Sequence, residues 1–298
     1  MRAYADRLAE AIARKGCPIA VGIDPRPERL PPALLQPPVA PLAAVEAFCR
    51  GLIDCLSPVV PAIKIQVAFF ERFLGPGMEL YFRMIATGRA KGLLVIGDVK
   101  RGDIGSTAEA YAQAHLASRD AADAITVNPY FGTDGVTPFL EAAAKHGRGL
   151  YVLVKTTNPS SVELQDLQVS GGPLFEQVAV LVNRWGEAVP GTDRYSSVGA
   201  VAGGTHSEAL RRLRLLLPRT PLLVPGFGAQ GARAGDVVGA FDERGDGALI
   251  ASSRGVAQAF EGQASTDPRG APRWQDRVRE AAEVMREELR AALRQRGS

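Results

Sequence analysis

At 298 residues with 46% apolar side chains, the chain can bury a large core and falls within the size range of one α/β barrel. Thirty-five basic residues against 32 acidic ones leave a formal charge of +3 spread along the whole length. That balance points to neither nucleic acid nor a membrane surface as a partner and leaves small anionic substrates open. Cys17, Cys49 and Cys55 form no CxxC pair and are odd in number, so they read as small buried hydrophobes in a reducing compartment and not as a disulfide framework. No basic segment with an apolar run behind it opens the sequence, and no apolar run approaches the roughly 18 residues that span a bilayer. The expectation is a cytoplasmic protein.

The first predicted strand is "PIAVGID", residues 18 to 24. A proline-rich excursion over 25 to 41 follows, whose fixed φ angles suit an extended loop and not a helix. Residues 43 to 56, "AAVEAFCRGLIDCL", repeat apolar positions every three or four residues, as a helix does. Then come "PAIKIQV" (61 to 67) and "LLVIGD" (93 to 98), short apolar runs of the kind found in strands buried on both faces. Strands and helices alternate from there. Helical patterns cover 107 to 118, 132 to 147, 173 to 186 and 207 to 217, and strand patterns cover 124 to 128, 150 to 155, 197 to 203, 221 to 226 and 247 to 252. Capping-box spacing, Ser106 to Glu109 and Thr205 to Glu208, marks two helix starts. The charged amphipathic segment from about 273 to 296 reads as a helix packed on the barrel or on a neighbour. Eight strands alternating with helices predict parallel pairing and one closed α/β domain, a (β/α)8 TIM barrel, with an open doubly wound sheet as the alternative.

In such a barrel the chemistry gathers where strands end and loops begin. Asp98 and Lys100 in "VIGDVKRGD" stand two apart on an extended segment, so both side chains point to one face. Asp103 lies beyond, on a loop. Taken alone, this pattern also fits a solvated turn with an ordinary ion pair. Other strand ends add to it. Asp24 closes the first strand, and Lys64 interrupts the second, where an ammonium among "PAI" and "IQVAFF" needs an anionic partner. After the seventh and eighth strands come "PGFGAQG" (225 to 231) and "SSRG" (252 to 255). Barrels commonly hold a phosphate there, through glycine N–H groups and an arginine.

"DVKRGDIGST" matches the DxKxxDI signature of orotidine 5′-phosphate decarboxylases, and "VGIDPRP", "AIKIQVAFFE", "VPGFGAQG" and "SSRG" fall where that family keeps its other site residues. The chain resembles this family from about residue 18 to 257. Its length, its proline-rich first loop and the segments "KTTNPSS" and "NPYFG" are similar to the longer bacterial branch. The resemblance implies decarboxylation of orotidine 5′-phosphate to UMP and CO2, with neither cofactor nor metal. It implies Lys100 as the proton donor to C6, Asp98 beside the departing carboxylate, Lys64 as a bridge between the charges and the ribose, and Asp24 on a ribose hydroxyl. It also implies a homodimer in which Asp103 and Thr107 complete the neighbouring site, and a phosphate held by Gln230, Arg254 and the Gly255 N–H. Two places depart or stay open. The shorter branch has a histidine near the end of strand four where this chain has Asn128 and Pro129, so strand four is left out of the catalytic set. Thr156, Thr157, Asn158 and Ser160 compete for the contact to the pyrimidine, with Thr157 carried forward. The polar, glycine-ended segment 156 to 172 is the candidate lid.

The chemistry agrees with those residue types. Loss of CO2 from C6 leaves an electron pair in the ring plane, outside the reach of the π system, so the protein must stabilise it electrostatically. A fixed ammonium does so and then supplies its proton. Flanking aspartates favour an ammonium over the neutral amine that a Schiff base would need. Barrels that share DxKxxD but act on sugar phosphates through Mg²⁺ need a further carboxylate, typically on the second strand, where this chain has Lys64. A nucleotide-sensing barrel without catalysis is a second alternative, and a purely structural barrel, which leaves the converging charges unexplained, is the third. His115, His146 and His206 are read as structural.

Overall fold

The computed structural model describes residues 2–36, 39–191, 194–261 and 273–296. In chain order its strands are β1 Ile19–Ile23, β2 Ala62–Gln66, β3 Leu94–Arg101, β4 Ala124–Val127, β5 Gly149–Lys155, the hairpin β6 Gln168–Val169 and β7 Gly172–Pro173, then β8 Val198–Ala202, β9 Leu222–Pro225 and β10 Ala248–Ser252. Its helices are α1 Tyr4–Lys15, α2 Pro41–Leu56, α3 Ala68–Glu71, α4 Leu74–Ala90, α5 Gly105–Ala112, α6 Gly132–His146, α7 Leu174–Gly186, α8 Ser207–Leu216, α9 Ala234–Val237, α10 Arg254–Ala257 and α11 Trp274–Arg296. All the strands except the hairpin pair in parallel and close a barrel, β1 meeting β2 on one side and β10 on the other. This is the predicted (β/α)8 barrel, with each expected strand in place to within three residues at either end.

Period-two alternation sorts the barrel residues into two cores. Ile63 and Ile65 of β2, Val95 and Val99 of β3, and Ile125 and Val127 of β4 face the surrounding helices. Ala62, Leu94, Ile96 and Ala124 face the barrel axis. The same alternation continued toward the strand ends turns Lys64, Asp98 and Thr126 inward, above an apolar floor.

The floor is closed from below by α1. Tyr4, Leu8 and Ala11 join the barrel's inner core, and Tyr4 is fully buried with its hydroxyl 3.2 Å from that of Tyr151. A Cβ on Gly149 would stand 2.2 Å from the Tyr4 ring, so a glycine is required at that approach. Arg7 fastens the same helix by donating to the buried Asp123 at 2.6 Å and to the Gly147 carbonyl.

Several local expectations change. Helices α1 and α4 stand outside the sequence reading. Ser106 and Thr205 are not N-caps: α5 starts two residues earlier than expected, at Gly105 with Ile104 at its cap, α8 is capped at His206, and neither start has a side-chain cap hydrogen bond. Asp103 Oδ1 instead accepts the Ile104 N–H at 2.8 Å, and Glu208 pairs with Arg211. The stretch after α5 widens into a π-helical turn over Gln113–Ala117. The proline-rich segment holds two single 3-10 turns, Pro27–Arg29 and Pro32–Leu34, and Pro41 opens α2 at the position where its missing N–H costs nothing. Residues 37 and 38 of that loop lie outside the described residues. Helix α11 buries Val278, Ala282, Met285 and Leu289, and Trp274 lies 5.2 Å from the Phe48 ring of α2.

Candidate active site

A cavity of about 450 Å³ opens at the C-terminal ends of the strands. Seven of the ten sequence-predicted site residues line it: Asp24, Lys64, Asp98, Lys100, Thr157, Gln230 and Arg254. Asp98 is its electrostatic centre. The carboxylate is buried and takes a donor pair at each oxygen: Lys64 Nζ at 2.6 Å and Gln66 Nε2 at 2.9 Å on Oδ2, Lys100 Nζ at 2.5 Å and Thr126 Oγ1 at 2.9 Å on Oδ1. Burial works to raise its pKa, but the charges of Lys64 and Lys100 and their hydrogen bonds outweigh burial and hold it well below the carboxylate range. For Lys64, burial would remove the proton, yet the neighbouring carboxylates of Asp98 and Asp24 raise it above an ordinary lysine. A buried cation thus answers a buried anion, and Lys100, half exposed, is the member of the chain that faces the open cavity.

The way Lys100 reaches Asp98 differs from the extended geometry expected. Lys100 has φ +46°, one of two non-glycine residues with positive φ among the described residues. The register between β3 and β4 breaks between Gly97 and Arg101. This bulge swings the lysine back over the carboxylate, the re-aiming that bulges commonly serve next to sites. Asp24 closes the β1 side, and its Oδ1 is buried with no protein partner, an acceptor free to take a ligand hydroxyl.

The opposite wall is the turn after β9. Gly226, Gly228 and Gly231 all take positive φ, and a Cβ on Gly226 would press on Gln230 Oε1 and Thr157 Cγ2 at 3.1 and 3.2 Å. Across from it Arg254 opens α10, its Nη2 3.4 Å from the Ala229 carbonyl. Gly255 lies behind that wall and lines the adjoining cavity between the β9 turn and α11, not the mouth itself. On the loop after β5, Thr156 and Thr157 line the cavity while Asn158 and Ser160 do not. Thr156 Oγ1 is engaged with Asn158 Oδ1 at 2.6 Å and Gln165 Nε2 at 2.8 Å.

Asp103 and Thr107 are not brought to this chain's own cavity. Asp103 sits on the loop between β3 and α5 and Thr107 in the first turn of α5, on a rim where Ile104, Tyr130 and Phe131 are exposed. Asn128 takes no part in the site and accepts the Tyr130 N–H in a turn. Strand four contributes to the site through Thr126 instead. Gln66 and Thr126 were missed by sequence reading, although the two-residue alternation through Ala62 and Lys64, and through Ala124, points at both. Lys155, at the end of β5 where the register with β8 shifts, is a buried lysine outside the cavity lining. It is 3% exposed at its side chain and donates to Asp166 Oδ1 at 2.6 Å and Ser161 Oγ at 3.3 Å, both on the candidate lid.

The architecture defines a (β/α)8-barrel protein with a lysine–aspartate–lysine chain over its first strands and a glycine turn facing an arginine over its last. The sequence profile of the orotidine 5′-phosphate decarboxylase / HUMPS family matches residues 18–267. Orotidine 5′-phosphate decarboxylase of Rhodopirellula baltica is 43% identical over 304 residues, covering 97% of this chain and all of the relative, and that of Deinococcus radiodurans is 40% identical over 291 residues, covering 97% and 98%. The solved structure of Leishmania donovani OMP decarboxylase superposes with a TM-score of 0.77 at 32% identity over 98% of this chain and 99% of that one. This chain belongs to the orotidine 5′-phosphate decarboxylase / HUMPS family.

Proposed function

We infer that this protein decarboxylates orotidine 5′-phosphate to UMP and CO2, the last step of de novo pyrimidine nucleotide synthesis. The observation that carries the reading is the Lys64–Asp98–Lys100 chain at the mouth, with contacts of 2.6 and 2.5 Å. In the reaction the bond from C6 to the carboxylate breaks, CO2 leaves, and its electron pair stays on C6 in the ring plane. Lys100 faces that pair with a positive charge already in place, so no solvent needs to reorganise, and then gives C6 its proton. The resulting amine is reprotonated from water. Asp98 keeps Lys100 in position and sets a negative charge next to the substrate's carboxylate. Asp24 takes a ribose hydroxyl with its buried free oxygen, Lys64 links that end to Asp98, and Thr157 meets the pyrimidine. Gln230 and Arg254 hold the phosphate, with the Gly255 N–H behind them.

Asp103 and Thr107 act in the site of a second copy. Their place outside their own cavity, on a rim where Ile104, Tyr130 and Phe131 are exposed, supports a homodimer. Three free buried cysteines suit a cytoplasmic setting, and among the described residues no helix is long and apolar enough to cross a membrane.

The family also holds enzymes that act on sugar phosphates. A Mg²⁺-dependent activity of that type calls for a carboxylate on β2, where this chain has Lys64, bonded to Asp98. The test is loss of the orotate absorbance when the protein meets orotidine 5′-phosphate in EDTA. Turnover is expected at full rate with chelator and is expected to fall at least about a hundredfold in Lys100→Ala, the lower end of what a general acid contributes. Dependence on Mg²⁺, or an unimpaired Lys100→Ala, overturns the assignment.

A further inference from the structure

Thr126 stands between the two groups on which the proposed reaction depends. It is 2% exposed on the inner face of β4. Its Oγ1 lies 2.9 Å from the Lys100 backbone nitrogen and 2.9 Å from Asp98 Oδ1. The direction of both bonds is fixed by chemistry. A backbone N–H can only donate and an ionised carboxylate can only accept, so the hydroxyl proton points to Asp98 and a lone pair receives Lys100.

The first of those bonds falls where the sheet itself fails. Gly97 pairs with Ile125 and Arg101 with Val127, so three residues of β3 bulge against Thr126 alone. Within that bulge Lys100 has φ +46°, a conformation that costs an L-residue free energy unless its surroundings hold it. The Thr126 hydroxyl supplies the acceptor that the broken ladder does not.

We propose that Thr126 is a positioning residue for the decarboxylation: it locks Lys100 in its left-handed backbone conformation and ties that backbone to Asp98, so that the ammonium is aimed before substrate arrives. Only a group that donates and accepts at one atom can bridge the pair, so serine can replace it and valine, of the same shape, cannot. The proposal rests on the decarboxylase reading for its kinetic consequence and on the bulge for its structural one.

The experiment compares wild type, Thr126→Val and Thr126→Ser in orotidine 5′-phosphate turnover. The Lys100 amide resonance is followed alongside in protein carrying ¹⁵N-lysine, of which the sequence has six. Thr126→Val is expected to lose about thirtyfold in kcat, with KM within about threefold because ribose and phosphate contacts are untouched; Thr126→Ser should stay within about threefold of wild type in both. The Lys100 amide resonance should move in the valine variant and hold in the serine variant. A valine variant within threefold of wild-type kcat, or valine and serine variants impaired alike, overturns the proposal. Wild-type protein that fails to consume orotidine 5′-phosphate defeats the functional reading instead; the lysine resonance then decides on Thr126, and an unmoved resonance in the valine variant overturns its role.

Discussion

Arg254 and His115 mark two different uses of a charged or chargeable side chain. Arg254 borders the mouth and holds little of the fold together, so Arg254→Ala is expected to leave the circular dichroism spectrum unchanged. It should lower kcat/KM by well over tenfold, which is about 1.4 kcal/mol of transition-state stabilisation. An effect under tenfold counts against the phosphate assignment. His115 is buried in the π-helical turn, against the rings of Tyr81 and Phe82, with Nδ1 unpartnered. Burial first, and the charge of Arg101 second, push its pKa down to about 4 from an ordinary 6.5. The unfolded chain therefore binds the extra proton first as pH falls. The contribution is complete above pH 6.5 and is lost on the way down to about 4, in total about 3 kcal/mol. Denaturant titrations at pH 7 and pH 4.5 should show that loss in wild type, and His115→Phe should flatten it. The cysteines are governed by the same burial: the Cys55 thiol is pushed up to about 12, and Cys17 and Cys49 are raised as well.

The segment from Thr156 to Gly172 is held at its root by one buried ammonium. Lys155 meets Asp166, Ser161 and the face of the Phe175 ring at 5.8 Å, while His206 lies 3.1 Å from the Thr156 carbonyl. Asp166→Asn leaves that ammonium without its counter-charge, a loss of roughly 1–3 kcal/mol after allowing for the partial exposure of Asp166. Proteolysis within 156–172 should quicken in this variant, and KM should rise more than kcat falls. Unchanged cleavage would show that the root is held by other contacts. The strands were legible because a barrel strand is buried on both faces, so "PAIKIQV" or "LLVIGD" reads as an unbroken apolar run. Helix α1 carries a readable spacing, Tyr4, Leu8, Ala11, but its use as a plug depends on Gly149 far along the chain. The capping boxes misled because Ser106 and Thr205 have the right spacing and the wrong place: the helices begin at Gly105 and Ser207. Asp98 and Lys100 were legible as a pair. The left-handed turn at Lys100 was not, since it arises from the mismatch with β4 and not from any residue within β3.

At the scale of the whole molecule, the rim carrying Asp103 and Thr107 predicts complementation between copies. Lys100→Ala and Asp103→Ala should each be inactive alone. Mixed through a cycle of unfolding and refolding, they should recover about a quarter of wild-type activity, since half the dimers are hybrids and each hybrid has one intact site. No recovery would place Asp103 in its own subunit's chemistry. The two ends of the barrel are unlike in another respect. The lower end is stoppered by Tyr4 against Tyr151, backed by Leu8 and Ala11, while the upper end is the cavity of Asp98 and Lys100. Among the described residues, that stopper leaves the gas released at C6 no way out through the lower end. The open way is past the nucleotide, through the doorway by which the substrate came in, so a change that narrows that doorway should slow the departure of both products.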